Sequence, residues 1–128
     1  MMTVTPAYAA VLGLIFVALS VRTIRMRRRH RVAVGDGGNA ELRRAMRVHA
    51  NFAEYVPLAL LLIFFVEHDG AETLLVHALG IALLAGRLLH AWGVSQEPEN
   101  FRYRVSGMAL TFGTVITAAL AIFIARLV

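Results

Sequence analysis

The fold is decided by the segment Arg47–Pro57, RVHANFAEYVP, which runs without a turn signal into the apolar stretch Leu58–Val66. Arg47, Asn51 and Glu54 are four and three residues apart, so on a helix their side chains form one stripe. A helix needs roughly 20 residues to cross a hydrocarbon core of about 30 Å, which puts this stripe at membrane depth. A charge facing lipid there costs about 2.5 kcal/mol or more. The segment therefore predicts a transmembrane helix whose polar stripe faces protein or a wet cleft, and such a stripe is a candidate functional site.

The composition of the whole chain is that of a small membrane protein. Of its 128 residues, 59% are hydrophobic, which is too apolar for a soluble domain of this size. The length leaves room for a single domain, which we assign to residues 1–128. Cysteine is absent, which excludes disulfides, a thiolate metal site and a cysteine nucleophile.

Four apolar segments predict an all-α membrane protein with four transmembrane helices in an up-and-down bundle. The spans cover about residues 4–21, 40–66, 73–92 and 105–124. The first is not a cleavable signal peptide, because its arginines follow the apolar run instead of preceding it. The glycine-rich stretch 34–39 predicts a tight loop, and Asn39 is the expected N-cap of the second span.

The charge distribution predicts the orientation in the membrane. All 13 basic residues are arginine, and eight of them fall between Arg22 and Arg44, directly after the first span. Arginine collects on the cytoplasmic side and contacts anionic headgroups there, so both termini should lie outside. Arg43 and Arg44 are expected to face outward from the second helix. No motif for nucleic-acid binding accompanies the charge, and we expect no such partner.

Polar residues from all four spans fall at one predicted membrane level. They are Arg22; Arg47, Asn51, Glu54 and Tyr55; Arg87 and His90; and Arg102 and Arg104. A cluster of guanidinium groups suits a small polyanionic ligand, because each group can bind a carboxylate bidentately. An arginine also stabilises a thiolate, and in a chain without cysteine that thiol must belong to the ligand.

The same residues allow structural interpretations as well. Arg47 and Glu54 could form a buried ion pair, and His90 could be a packed, hydrogen-bonded histidine. We expect no metal site, because the five histidines are scattered and no two are four residues apart. A transporter is disfavoured, since the polar stripe stops near Pro57 and no polar path crosses the other half of the bundle.

The sequence resembles the MAPEG superfamily, the membrane-associated proteins in eicosanoid and glutathione metabolism. The matching motifs are Arg47-x-His49-x-Asn51-x-x-Glu54-Tyr55-x-Pro57-Leu58, Gly86-Arg87-x-x-His90 and Arg102-x-Arg104. The loop Gly35-Asp36-Gly37-Gly38 is similar to that of bacterial members. The resemblance implies a left-handed four-helix bundle in a bacterial inner membrane. It also implies a homotrimer that binds glutathione between subunits at the cytoplasmic end.

The resemblance also implies roles for individual residues. Arg104 would stabilise the glutathione thiolate, with Arg102 as its close competitor. The implied glutathione contacts are Arg22, Arg47, Asn51, Glu54, Tyr55, Arg87 and His90. The activity would be transfer of glutathione to hydrophobic electrophiles, or reduction of peroxides. The chain departs from well-studied eukaryotic members at Val94, where they carry a tyrosine. The alternative is a non-catalytic trimer whose polar stripe only holds the subunits together.

Overall fold

The computed structural model describes residues 3–127 and contains four long helices. They are α1 (Thr5–His30), α2 (Ala40–His68), α3 (Thr73–Ser95) and α4 (Phe101–Leu127). Each is long and apolar enough to cross a membrane, and no strand occurs between residues 3 and 127. The prediction of an all-helical chain with four membrane-spanning helices is confirmed. We call the end of the bundle that carries loops 31–39 and 96–100 the arginine-rich end.

The loop between α1 and α2 is fixed by its glycines and one aspartate. Gly35, Gly37 and Gly38 have φ values of 70°, 56° and 76°, a left-handed conformation that glycine adopts without strain. Asp36 accepts hydrogen bonds from the Arg43 guanidinium and the Gly38 N–H, which together hold its pKa below the usual value. This contribution to stability is present above the ordinary aspartate pKa of about 3.9 and is lost as the pH falls further.

Helix α2 begins and continues as its sequence indicates. The Asn39 side chain accepts a hydrogen bond from the Leu42 N–H at 2.8 Å, so the predicted N-cap is confirmed. The helix passes through Pro57 and ends at His68. One face of α2 is buried in the apolar core that it shares with α1, α3 and α4. The buried residues on this face include Phe52, Val56, Ala59 and Ile63. The polar stripe lies on the neighbouring face.

Helices α3 and α4 make the closest contact in the bundle, and three glycines permit it. A Cβ atom added to Gly107 would lie 2.5 Å from the Gly86 carbonyl oxygen and 2.5 Å from the His90 nitrogen. A Cβ added to Gly93 would lie 2.5 Å from the Arg104 nitrogen. These approaches fix His90 on α3 against the start of α4, where Arg104 lies.

At the end of the bundle opposite the arginine-rich end, one carboxylate caps the first helix. Glu67 accepts hydrogen bonds from the backbone N–H groups of Thr3, Val4 and Thr5 at 2.7, 2.8 and 2.7 Å. Val4 lies at the N-cap position of α1, and its apolar side chain cannot accept a hydrogen bond from the first turn of the helix. Glu67 therefore supplies from α2 the acceptors that the first turn of α1 lacks.

We expect Glu67→Ala to lower the free energy of unfolding by about 2 kcal/mol, because it removes the acceptor of three helix-start N–H groups. Chemical denaturation in detergent would measure the change. The matched control is Glu72→Ala, because the exposed Glu72 side chain makes no hydrogen bond within residues 3–127. Equal stability of the two variants would contradict the capping role.

Candidate functional site

A cavity of about 200 Å³ opens at the arginine-rich end of the bundle. Its walls come from α2, α3, α4 and the loop before α4, and the lining residues are Arg43, Arg44, Arg47, Asn51, His90, Val94, Glu99 and Arg104. Four guanidinium groups face it with one carboxylate, so the cavity carries a net positive charge. It can hold a small anion, and the spacing of its arginines over three helices suits a ligand with several anionic groups.

The cavity brings together four of the predicted site residues. Arg47 and Asn51 reach it from α2, His90 from α3 and Arg104 from α4. The other five predicted residues do not line it; they are Arg22, Glu54, Tyr55, Arg87 and Arg102. Their contacts with a ligand therefore remain predictions.

Arg87 is a buried link between three helices. Only 2% of it is exposed. Its guanidinium donates to the Asn51 side-chain oxygen at 2.6 Å, to the Thr111 hydroxyl at 3.0 Å and to the Met108 sulfur at 3.2 Å. It also lies 5.7 Å from the centre of the Tyr55 ring. Because Arg87 occupies the Asn51 oxygen, the amide nitrogen of Asn51 is the group left to donate to a ligand.

His90 is packed but not hydrogen-bonded through its ring. It is 5% exposed, and its imidazole makes no hydrogen bond with the side chains or backbone of residues 3–127. The sequence allowed a packed, hydrogen-bonded histidine, and only the packing is found. Its ring nitrogens are therefore available to a molecule in the cavity.

The start of α4 separates the two arginines that the sequence left in competition. The Asn100 side chain accepts hydrogen bonds from the N–H groups of Arg102 and Tyr103 at 3.1 and 3.3 Å and so caps the helix. Both arginines are exposed, but Arg104 lines the cavity and donates to Glu99 at 2.9 Å, whereas Arg102 lies outside the cavity. The geometry favours Arg104.

The structural alternative of an ion pair between Arg47 and Glu54 is not found in the described residues. Both residues are exposed, and neither side chain makes a hydrogen bond or ion pair within the described part of the chain. Arg22 also turns away from the cavity, since it donates to the Ser95 hydroxyl at 2.9 Å. Glu54 and Arg47 therefore have no side-chain partner within residues 3–127.

The expectation that Arg43 and Arg44 face outward is met only in part. Both line the cavity, but Arg43 is also exposed and pairs with Asp36 of the preceding loop. They precede Arg47 by four and three residues, so the polar stripe of α2 extends one turn further toward its N-terminus than we predicted. This spacing is the signal that sequence reasoning missed. Glu97 and Glu99 were also missed: they pair with Arg44 and Arg104 at 2.9 Å each.

Residues 5–124 match the sequence pattern of the MAPEG family. The chain belongs to that family. It is 44% identical over 118 residues to the inner membrane protein YecN of Escherichia coli K12, covering 92% of this chain and 88% of that protein. The protein of the same name from Escherichia coli O6:H1 gives the same figures. The resemblance of the second-span motif to MAPEG is thus confirmed, and the chain is an integral membrane protein similar to a bacterial inner membrane protein. Val94, the departure from the eukaryotic pattern, lines the cavity.

Proposed function

We propose that this MAPEG protein is an integral membrane enzyme that transfers glutathione to hydrophobic electrophiles or uses it to reduce peroxides. The observation that carries the proposal is the convergence of four arginines, Asn51 and His90 on one cavity at the arginine-rich end. Glutathione suits this cavity because it carries two carboxylates, and its thiol becomes a third anion on ionisation. A guanidinium binds each kind of anion well.

The arginines of α2 hold the carboxylates in this proposal. Arg43, Arg44 and Arg47 line the cavity along one stripe, and Asn51 adds an amide donor. The Nε atom of Arg44 is buried and has no acceptor within the described residues. A buried donor without a partner costs free energy, which a ligand oxygen would offset.

Arg104 acts on the thiol. A guanidinium beside the sulfur favours its ionised form, and the thiol proton leaves to solvent. The thiolate then donates an electron pair to the electrophilic atom of the second substrate, while the leaving group or the distal peroxide oxygen departs with the bonding pair. A hydrophobic electrophile would reach the sulfur laterally from the bilayer.

A neighbouring copy of the chain would complete the site. The cavity of about 200 Å³ is smaller than a typical ligand pocket of about 300–1,000 Å³. The exposed carboxylate of Glu54 also needs cover at membrane depth. A shallow groove of about 690 Å³ on the outer face of α3 and α4, lined in part by Ala78, Ala82, Ala109 and Gly113, can admit a second helix. These features support contact with further copies of the chain, which we propose form a homotrimer. The clustering of arginine at one end supports placing that end in the cytoplasm and both termini outside.

Thermal unfolding with and without glutathione tests the proposed binding. Glutathione at 100 times its dissociation constant should stabilise the protein in detergent by about 2.7 kcal/mol. Arg47→Ala should reduce this stabilisation, because Arg47 lines the cavity. Arg25→Ala is the control, since Arg25 is exposed on α1 and lies outside the cavity. The absence of any shift in the unmodified protein would contradict the proposal.

A structural role for the polar stripe between copies is the second candidate, and the exposed side chains of Arg47 and Glu54 favour it. Neither makes a hydrogen bond or ion pair within residues 3–127, so each can take a partner from a neighbouring copy. If the stripe only holds copies together, Glu54→Gln or Arg47→Ala dissociates the trimer while glutathione leaves the unfolding temperature unchanged. Size-exclusion chromatography with light scattering, run beside the thermal experiment, separates the two functions.

A further inference from the structure

The short loop before α4 carries two carboxylates, and each is paired with an arginine of the cavity. Glu97 forms an ion pair with Arg44, and Glu99 accepts a hydrogen bond from Arg104, both at 2.9 Å. The two pairs differ in burial: the Glu97 side chain is 70% exposed, whereas that of Glu99 is 20% exposed and lines the cavity. Glu99 is thus the one carboxylate among the cavity's lining residues. It pairs with Arg104, the arginine that we propose holds the thiolate.

The position of Glu99 is set by the backbone on both sides of it. The Asn100 N–H donates to the Gly93 carbonyl oxygen at 3.0 Å, and the Asn100 side chain caps α4. Gly93 leaves no space between α3 and the Arg104 backbone, since a Cβ there would lie 2.5 Å from the Arg104 nitrogen. Glu99 and Arg104 therefore face each other on a fixed turn, which distinguishes them from a pair of mobile surface side chains.

A guanidinium that already pairs with a carboxylate attracts a second anion much less than a free one does, because the two charges nearly cancel at a short distance. We propose that Glu99 determines the specificity of the cavity by competing with the ligand's anionic group for Arg104. This inference rests on the proposed function for the identity of that group as a thiolate. The competition itself depends only on the Glu99–Arg104 pair.

The consequence is selectivity for thiols that carry carboxylates. A ligand anchored on Arg47 and the Asn51 amide holds its thiol beside Arg104 at a high effective concentration and can displace Glu99. Arg43 and Arg44 are weaker anchors by the same argument, because they already pair with Asp36 and Glu97. A small neutral thiol has no such anchor and meets an arginine that is already paired. Glu99 is therefore a positioning residue that rejects simple thiols, and it takes no part in bond making.

Removing the charge of Glu99 tests the competition. We expect Glu99→Gln to bind glutathione about five- to tenfold more tightly and to lower the pH at which the bound thiol is half ionised by about 0.5 to 1 unit. The thiolate is followed by its ultraviolet absorbance during a pH titration.

The other charged or titratable groups that face the cavity are Arg43, Arg44, Arg47, His90 and Arg104. Because His90 is present in every protein compared, its ionisation is common to all the titrations, and the difference between them reports the change at Glu99. Glu99→Gln should also ionise 2-mercaptoethanol, which the unmodified protein should leave protonated.

Glu97→Gln is the matched control, because it removes the same charge from the same loop but releases Arg44 instead of Arg104. It can alter affinity, but the pH of half ionisation should stay at the wild-type value. An unchanged or raised half-ionisation pH in Glu99→Gln, with glutathione bound, would overturn the inference. Glu99→Ala provides a second variant with the same expected direction.

Inorganic sulfate separates this inference from the proposed function. If neither the unmodified protein nor Glu99→Gln ionises glutathione, the glutathione proposal fails. Sulfate binding that is tighter in Glu99→Gln, measured by calorimetry, would then still support competition for Arg104. Equal sulfate affinity in the two proteins would overturn the competition as well.

Discussion

Arg104→Ala should abolish the glutathione thiolate in this protein. An ordinary thiol has a pKa of about 8.5 and is only a few per cent ionised at neutral pH. Stabilisation by about two pKa units, worth roughly 2.7 kcal/mol, would leave most of the bound glutathione ionised at pH 7. Losing the guanidinium should therefore lower the thiolate absorbance on the order of twentyfold, and transfer activity should fall with it because the thiolate is the nucleophile.

Two neighbouring variants make this result specific. Arg102→Ala removes the same charge two residues away on the exposed side of α4 and should leave the thiolate signal unchanged. Arg104→Lys keeps the charge but loses the planar fork, so it should retain part of the signal. A glutathione analogue with a methyl group in place of the thiol should still bind the α2 arginines. Full thiolate absorbance in Arg104→Ala, or an equal loss in Arg102→Ala, would remove Arg104 from its proposed role.

The helices could be predicted because their signals are local. The apolar runs, the Asn39 cap and the glycine turn at residues 34–39 are each defined by a few adjacent residues, and the structure confirms them. The span and the helix end at different places in the first segment. The first span is predicted to leave the membrane at the arginines, while α1 continues as helix up to His30. Apolar length marks where a helix leaves lipid, but arginine is a good helix former and does not end the helix itself.

The site was only partly predictable because its contacts join residues far apart in the chain. The stripe on α2 follows from spacing, so Arg47 and Asn51 could be assigned from the sequence. Arg87 carries the same charge as Arg47, but the place of its guanidinium depends on hydrogen bonds to Thr111 and Met108 of another helix. Sequence spacing cannot distinguish an arginine that faces a cavity from one that supports its wall.

Arg87 and Glu99 together change how the polar cluster is understood. The sequence suggested a ring of arginines that all reach the ligand. In the structure, Arg87 instead orients the Asn51 amide, and Glu99 neutralises part of the charge of Arg104. In the proposed function, some charges of the cavity bind the ligand, while others position those groups or compete with the ligand. A set of free cations at membrane depth would be far more costly than this arrangement.

Gly107→Ala should destabilise the bundle by about 2 to 3 kcal/mol and disturb the cavity at the same time. The added Cβ would meet the Gly86 carbonyl oxygen and the His90 nitrogen, both at 2.5 Å. These are backbone atoms, so no side-chain rotation relieves the clash, and α3 and α4 must separate. Because His90 of α3 and Arg104 of α4 both line the cavity, separation of the two helices should also weaken glutathione binding. Thermal unfolding and the thiolate titration would measure both effects.

Gly13→Ala is the control, since it adds the same methyl group inside a membrane-spanning helix where nothing lies within 4 Å. Its stability should stay near that of the unmodified protein or rise slightly, because alanine is the better helix former. If the Gly107→Ala protein were as stable as the Gly13→Ala protein, α3 and α4 would have to pack less closely than the structure shows. Loss of stability with full thiolate formation would separate the packing of α3 and α4 from the assembly of the cavity. Joint loss is the result we expect, since one backbone contact determines both.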